Sequence, residues 1–333
     1  VQYAPELFSY IKIAVDNGAA PGSYWLTGSQ AYRLMELAQE SLAGRTAILH
    51  MSALSQSELC GAMEVSPFSL ELDELQKRKA LLSPATPNEI YQRIWDGALP
   101  GHRSGKYKDR DVFYSSYIQT YIDRDVRSEL GVVKIPEFNR FVALCATRIG
   151  NLVNIQSLAA DCGINMRTAK DWLALLEQSF IIRLLRPYHH NYGKRLIKTP
   201  KLYFEDTGLA CSLLGIDTAE DLITSGYRGA LFENAVICEF TKEALSQGKV
   251  PDFYFWRDSA GREIDLIIDK AGTIQRAVEV KASSTYDPKS FSTLDKLGDE
   301  LGIPTSAREV VYSGDLSLET KHGFVRAFAD LCE

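Results

Sequence analysis

RGALFENAVICEF (Arg228 to Phe240) followed by YFWRDSAGREIDLIIDKAGTIQRAVEVKAS (Tyr254 to Ser283) is the stretch whose reading decides the fold. In the first part Leu231, Phe232, Ala235, Val236, Cys238 and Phe240 recur at helical spacing, and Glu233 lies beside Val236, Ile237 and Phe240. The spacing predicts a helix with one carboxylate drawn into its apolar side. The second part alternates as three strands, YFWR, REIDLIID and TIQRAVEVKAS, separated by turns at Asp258 to Gly261 and at Lys270 to Gly272. Period-two alternation puts Ile264, Leu266 and Ile268 on one face and Glu263 and Asp265 on the other, while Val278 and Val280 oppose Glu279 and Lys281. Two strand carboxylates, a helical carboxylate and a lysine are thereby expected to converge.

Around this centre the chain has 333 residues, 45% hydrophobic and 24% charged, with a formal net charge of -6. That length predicts more than one core, and the acidic balance argues against a general nucleic-acid coat. The charge is uneven, however, because Arg183 to Lys201 holds basic residues and histidines without an acid. A local basic surface is expected there. Six cysteines stand without metal-ligand spacing, and no apolar run reaches membrane-spanning length. A cytoplasmic protein with reduced thiols and no membrane partner is expected. The opening residues read as the inside of a helix, so the true N-terminus is expected to lie upstream of Val1.

Upstream, PELFSYIKIAVDNG reads as a helix, SYWLTGS as a short strand, AYRLMELAQESLAG as a helix stopped at Gly44, and AILHMSALSQSEL as a further strand. Residues 66–134 are broken by prolines around charged helices and read as a helical lid or connector. Between 135 and 210 the pattern is helix, helix, helix, strand, strand. FNRFVALCATRIG and IQSLAADC are followed by Gly163, and Asn165 caps NMRTAKDWLALLEQ. The spacing is that of a winged helix-turn-helix. Its third helix exposes Asn165, Arg167, Thr168 and Lys170, buries Ala169, Trp172, Leu173 and Leu176, and is followed by a basic wing with Lys194, Arg195 and Lys198. Phosphate contact with DNA is the functional reading. Protein packing is the other, since Asp171 and Glu177 interrupt the basic face. KSFSTLDKLGDELG, AREVVYSG and GFVRAFADL complete the chain as helix, strand and helix.

SYWLTGSQAYRLMELAQESLAGRTAILHMSALSQSEL, YIQTYIDRDVRSELGV, HNYGKRLIKTPKLYFEDTGLACSLLG, GALFENAVICEF, FYFWRDSAGREIDLII and VEVKAS, in that order, resemble a prokaryotic family of AAA-type P-loop ATPases with a conserved C-terminal domain of unknown function. The resemblance implies that residues 1–65 are the C-terminal part of an AAA-type α/β domain. Thr27 and Ser29 would then stand at a sensor position, and Arg45 near the nucleotide or a neighbouring subunit's site. It also allows a homo-oligomer through the ATPase part. The Walker A lysine and Walker B acids are absent, so ATP is expected only with the upstream region. Helical Glu233, strand Asp265, and Glu279 and Lys281 two residues apart further resemble PD-(D/E)xK nuclease-like proteins, which gives residues 211–333 a restriction-endonuclease-like α/β fold. In that arrangement Asp265 and Glu279 would hold Mg2+, with Glu233 beside them, and Lys281 would orient water or stabilise the phosphoryl charge. The residue-level alternative is a surface ion pair between Glu279 and Lys281 on a non-catalytic DNA-binding or regulatory module.

Overall fold

The computed structural model describes residues 4–28, 42–61, 85–121, 134–189 and 199–331, and in these the two periodicities of the sequence separate into layers. The first half is helical: α1 (Leu7–Asp16), α2 (Gln56–Leu59), α3 (Pro87–Asp96), α4 (Pro100–Arg103), α5 (Arg110–Tyr121), α6 (Ile135–Thr147), α7 (Ile155–Cys162) and α8 (Met166–Gln178). A hairpin follows, β1 (Ile182–Pro187) and β2 (Lys201–Phe204), then α9 (Thr207–Leu213), α10 (Ala219–Thr224) and α11 (Arg228–Ser246). The last third is β3 (Phe253–Arg257), β4 (Glu263–Lys270), β5 (Thr273–Lys281), α12 (Ser292–Leu301), β6 (Arg308–Tyr312), β7 (Leu318–Thr320) and β8 (Gly323–Ala327). The strands make one eight-stranded sheet in the order β2-β1-β3-β4-β5-β6-β8-β7. β3, β4 and β5 are antiparallel neighbours, whereas β1 with β3, β5 with β6 and β6 with β8 run parallel. The chain is thus a mixed α/β protein.

Helix α11 covers one face of the sheet, where Leu231, Phe232, Val236 and Phe240 join Leu266, Val278 and Val311 in the larger core. Helix α12 covers the other with Leu294 and Leu297 against Ile264, Ile267, Ala277 and Val310. The helices before the hairpin share the larger core through Ile90, Tyr114, Phe138, Trp172 and Leu176. Local signals set their ends: Asn165 caps α8 by accepting from Thr168 N at 2.8 Å, and Gly163, at φ 69°, ends α7 in the left-handed region. Ala169, Trp172, Leu173 and Leu176 are buried, as the helical spacing requires. The hairpin β1–β2, read from sequence as a wing, forms the edge of the same sheet that carries β4 and β5.

Three sequence expectations change. Tyr254 pairs with Ile267 and Trp256 with Ile264, so β4 carries a bulge against β3. The extra residue breaks strict alternation. Ile264 packs with Ile267 in the α12 core, and Leu266 with Ile268 in the α11 core, instead of all three apolar residues sharing a face. GFVRAFADL is strand β8 and a short 3₁₀ turn rather than a helix. β8 is buried on both faces between β6 and β7, so no alternation marks it. The described parts of SYWLTGS and AILHMSALSQSEL form no strand. Trp25, Leu49 and Met51 are exposed there, and an apolar run without a hydrogen-bonded neighbour has no ladder to join. Among the described residues no helix is long and apolar enough to cross a membrane.

Candidate functional site

Strand β2 reaches α11 through a backbone clamp. The side chain of Asn234, fully buried, accepts from Phe204 N at 2.7 Å and donates to Phe204 O at 2.8 Å. An amide that answers both backbone groups of one residue fixes the register of helix on strand. Its neighbour Glu233 is thereby set over Lys201 and Tyr203, which alternation places on one face of β2. Lys201 Nζ lies 3.0 Å from Glu233 Oε1 and 3.9 Å from Asp265 Oδ1, and also contacts Glu263 Oε1. The Tyr203 hydroxyl donates to the same Glu233 oxygen. Oxygen atoms of Glu233, Glu263 and Asp265 all lie within 4.8 Å of one another.

The other half of the site is built by β5. Val280 N donates to Asp265 Oδ2 at 2.8 Å, so the β4 carboxylate is anchored on the strand that carries Glu279 and Lys281. Lys281 Nζ donates to Glu279 Oε1 at 2.5 Å. Glu279 Oε2 is buried without a hydrogen-bond partner, an expensive arrangement for an ionised carboxylate. The end of β5 is held in turn: the Tyr91 hydroxyl at 2.8 Å and the Arg228 guanidinium at 3.0 Å both donate to Ala282 O. Helices α3 and α11 thus both position the strand end that bears Glu279 and Lys281.

Burial and mutual repulsion show in the titration of these groups. Burial and the Asp265 charge push Glu233 up to about 7, against the lowering influence of Lys201 and Tyr203. Burial and the Asp265 charge push Glu279 up to about 8, with Lys281 opposing. Burial raises Asp265 as well, opposed by Lys201 and by the Val280 N–H. Burial pulls Lys201 down, but Glu233, Asp265 and Glu263 outweigh it and keep the ammonium charged. The pocket therefore holds more acid than its cations neutralise, and it takes up protons instead.

The sequence brings Glu233, Asp265, Glu279 and Lys281 together, and the structure adds two residues to them. Sequence alternation puts Glu263 on the face of Asp265 without making it part of the cluster. The run of cations from Arg183 predicts Lys201 on a basic surface. Lys201 is 3% exposed and faces the acids. Arg183, in the same basic run, pairs with Glu205 at 2.7 Å. The hard-oxygen donor set of Asp265 and Glu279 suits a divalent cation, with the unpartnered Glu279 oxygen as the observation that favours it.

The remaining sequence candidates lie elsewhere. Asn165, Arg167 and Lys170 are exposed and Thr168 half-buried at the start of α8. Lys194, Arg195, Lys198 and Ser29 lie outside the described residues. Thr27 is exposed, and the Arg45 guanidinium bonds Asp16 Oδ1 at 2.6 Å.

Residues 1–60 match an AAA domain, residues 88–220 a domain of unknown function (DUF8612), and residues 228–329 a second domain of unknown function (DUF4143). The chain is 29% identical over 289 residues to the uncharacterized protein Rv2008c of Mycobacterium tuberculosis and to the uncharacterized protein Mb2031c of Mycobacterium bovis. The aligned region covers 85% of this chain and 58% of each relative, so the chain spans less than two thirds of their length. No solved structure matches significantly. The family matches support an AAA-type ATPase-associated protein that carries domains of unknown function.

Proposed function

We propose that the chain is the nucleic-acid-processing portion of an AAA-type ATPase-associated protein, with divalent-cation-dependent phosphodiester hydrolysis at the Asp265, Glu279 and Lys281 pocket. The observation that carries this reading is the unpartnered, buried Glu279 Oε2 beside an Asp265 already oriented by Val280 N. Asp265 and Glu279 are the residues that would hold Mg2+, with Glu233 next to them. When bound, the ion supplies polarisation of a phosphodiester oxygen and a more acidic water. Lys281, with 39% of its side chain exposed, is the cation that an incoming phosphate reaches, while Lys201 is sealed behind the acids. Lys281 Nζ therefore stabilises charge on the phosphoryl oxygens. Tyr203 and Asn234, both fully buried, hold Glu233 and β2 in place.

Support for DNA as the polymer comes from α6, α7 and α8, an order that fits a helix-turn-helix with the start of α8 exposed. Arg167 and Lys170 at the exposed start of α8 are the phosphate contacts in this reading. The test is nicking of supercoiled plasmid and of branched DNA by this chain with Mg2+ or Mn2+. Nicking is expected, with loss in Asp265→Ala and Lys281→Ala; absence of cleavage with either metal on both substrates overturns it.

A second reading is favoured by Lys201, whose ammonium already sits among three carboxylates. In it the pocket is structural and the chain binds DNA without cutting. That reading expects salt-sensitive binding, weakened in Arg167→Ala with Lys170→Ala and unchanged in Asp265→Ala.

A further inference from the structure

We infer that Lys201 is the resident cation of the Glu233, Glu263 and Asp265 group, and that it confines a divalent ion to the Asp265 and Glu279 side of the pocket. For the divalent ion this rests on the cation-dependent reading above; for the lysine it rests on the arrangement of side chains alone.

The three carboxylates whose oxygens come within 4.8 Å of one another are the same three that surround Lys201 Nζ. A primary ammonium offers three donors and carries the charge such a group lacks. The Phe255 ring, 5.6 Å from Nζ, covers another side of the ammonium. Glu263 is used on both oxygens: Oε1 meets Lys201, and Oε2 lies 3.3 Å from the Arg257 guanidinium. Both of its oxygens are thus already engaged by cations of the chain. Asp265 stands at the boundary, its Oδ1 toward Lys201 and its Oδ2 toward β5. Beyond it, Glu279 keeps Oε2 without a partner. The four carboxylates face Lys201, Arg257 and Lys281, so acid remains in excess, and the unpartnered oxygen lies on the β5 side. One half of the cluster is neutralised by the protein's own lysine, whereas in the other Glu279 keeps an oxygen without a hydrogen-bond partner.

Lys201 is also fastened to this role. It opens β2, whose last residue Phe204 is clamped by Asn234 on the helix that carries Glu233. The clamp keeps the start of β2, and with it Lys201, over Glu233. Lys201 is therefore a positioning residue: it sets how many cations enter and which acids remain free to hold them.

The experiment counts Mn2+ bound per chain by electron paramagnetic resonance of the free ion, in the wild type, Lys201→Met and Glu263→Gln. The wild type is expected to bind one ion and Lys201→Met one more than the wild type. Thermal unfolding of Lys201→Met is expected to be low in chelator and restored by Mn2+. An unchanged count in folded Lys201→Met overturns the inference. No ion in the wild type but one in Lys201→Met sustains the lysine's role while removing the cation-dependent activity proposed above. Should Lys201→Met fail to fold, Glu263→Gln decides: an unchanged count and affinity support the assignment, and loss of the ion overturns it.

Discussion

Two buried lysines, Lys242 on α11 and Lys201 on the strand packed over it, show what separates a structural charge from an available one. Lys242 meets one carboxylate, Glu239 Oε1, at 2.7 Å, and donates to Leu54 O at 2.8 Å; the other Glu239 oxygen accepts from Gln56 N at 2.9 Å. The cluster is balanced in charge and its polar atoms are answered by backbone. It ties residues 54–56, within the segment matched to the AAA domain, onto α11. Lys201 meets three carboxylates, and two of them, Glu233 and Asp265, also repel Glu279, which keeps an unpartnered oxygen. Both lysines are held above their ordinary value, with burial pulling down and carboxylates pulling up more strongly. The difference is the surplus acid around Lys201. Balanced burial fixes two elements to each other, whereas surplus burial leaves a demand that a cation or a proton must meet.

The largest expected effect comes from unbalancing the balanced cluster. Lys242→Met leaves Glu239 buried and unpaired, and loss of one partner from a buried pair costs about 3–5 kcal/mol. Urea unfolding is expected to show a loss of that size, with no recovery on adding Mg2+. The double variant Glu239→Gln with Lys242→Met is expected to regain most of it, because the unpaired charge is gone. Recovery of Lys242→Met by Mg2+ would place a cation demand at this joint too and break the distinction.

The same distinction explains which parts of the site are legible in the chain. Glu233, Asp265, Glu279 and Lys281 stand on elements with strong periodicity, so faces and neighbours follow from spacing. Lys201 lies thirty-two residues before Glu233, inside a run of cations, and nothing local says that β2 passes over α11. A signal was present: in KLYF, alternation puts Lys201 and Tyr203 on one face of an otherwise apolar strand, where both need a buried acceptor. The bulge in β4 left no mark, since REIDLIID alternates well enough to hide one extra residue. Strand β8 was hidden by burial on both faces. The described parts of SYWLTGS and AILHMSALSQSEL form no strand, because apolar content gives a strand only together with a hydrogen-bonded neighbour.

A middle-sized effect should separate the clusters by pH. Glu233 at about 7 and Glu279 at about 8 lie above the ordinary glutamate value. The folded chain therefore binds more protons than the unfolded chain between the unfolded carboxylate range and those values. Their stabilisation is fully present below that range and is lost as pH rises through about 7 and about 8. Stability in chelator is expected to fall between pH 5 and pH 8 with a slope on the order of 1 kcal/mol per pH unit for each group. Saturating Mg2+ is expected to flatten the fall, because a bound divalent ion replaces the protons. Calorimetry at pH 6 in buffers of different ionisation enthalpy should then report proton release on Mg2+ binding. A flat profile without metal would mean that the surplus acid is neutralised by groups other than protons.

The smallest effect is expected where a balanced pair sits in water. Arg45 Nε bonds Asp16 Oδ1 at 2.6 Å, joining the end of α1 to the residues just beyond Leu42. The hydrogen bond from Arg45 lowers Asp16, so its contribution is present at neutral pH and fades as pH falls through the lowered value. Solvent screens such a pair and salt weakens it. Asp16→Asn is accordingly expected to leave the melting temperature unchanged at physiological salt, in contrast to Lys242→Met. A clear loss that persists in high salt would show that this contact orders the residues around Arg45 against α1 within the AAA-matched segment. Balance in charge would then suffice to specify structure even without burial, and the contrast between the two lysines would rest on surplus acid alone.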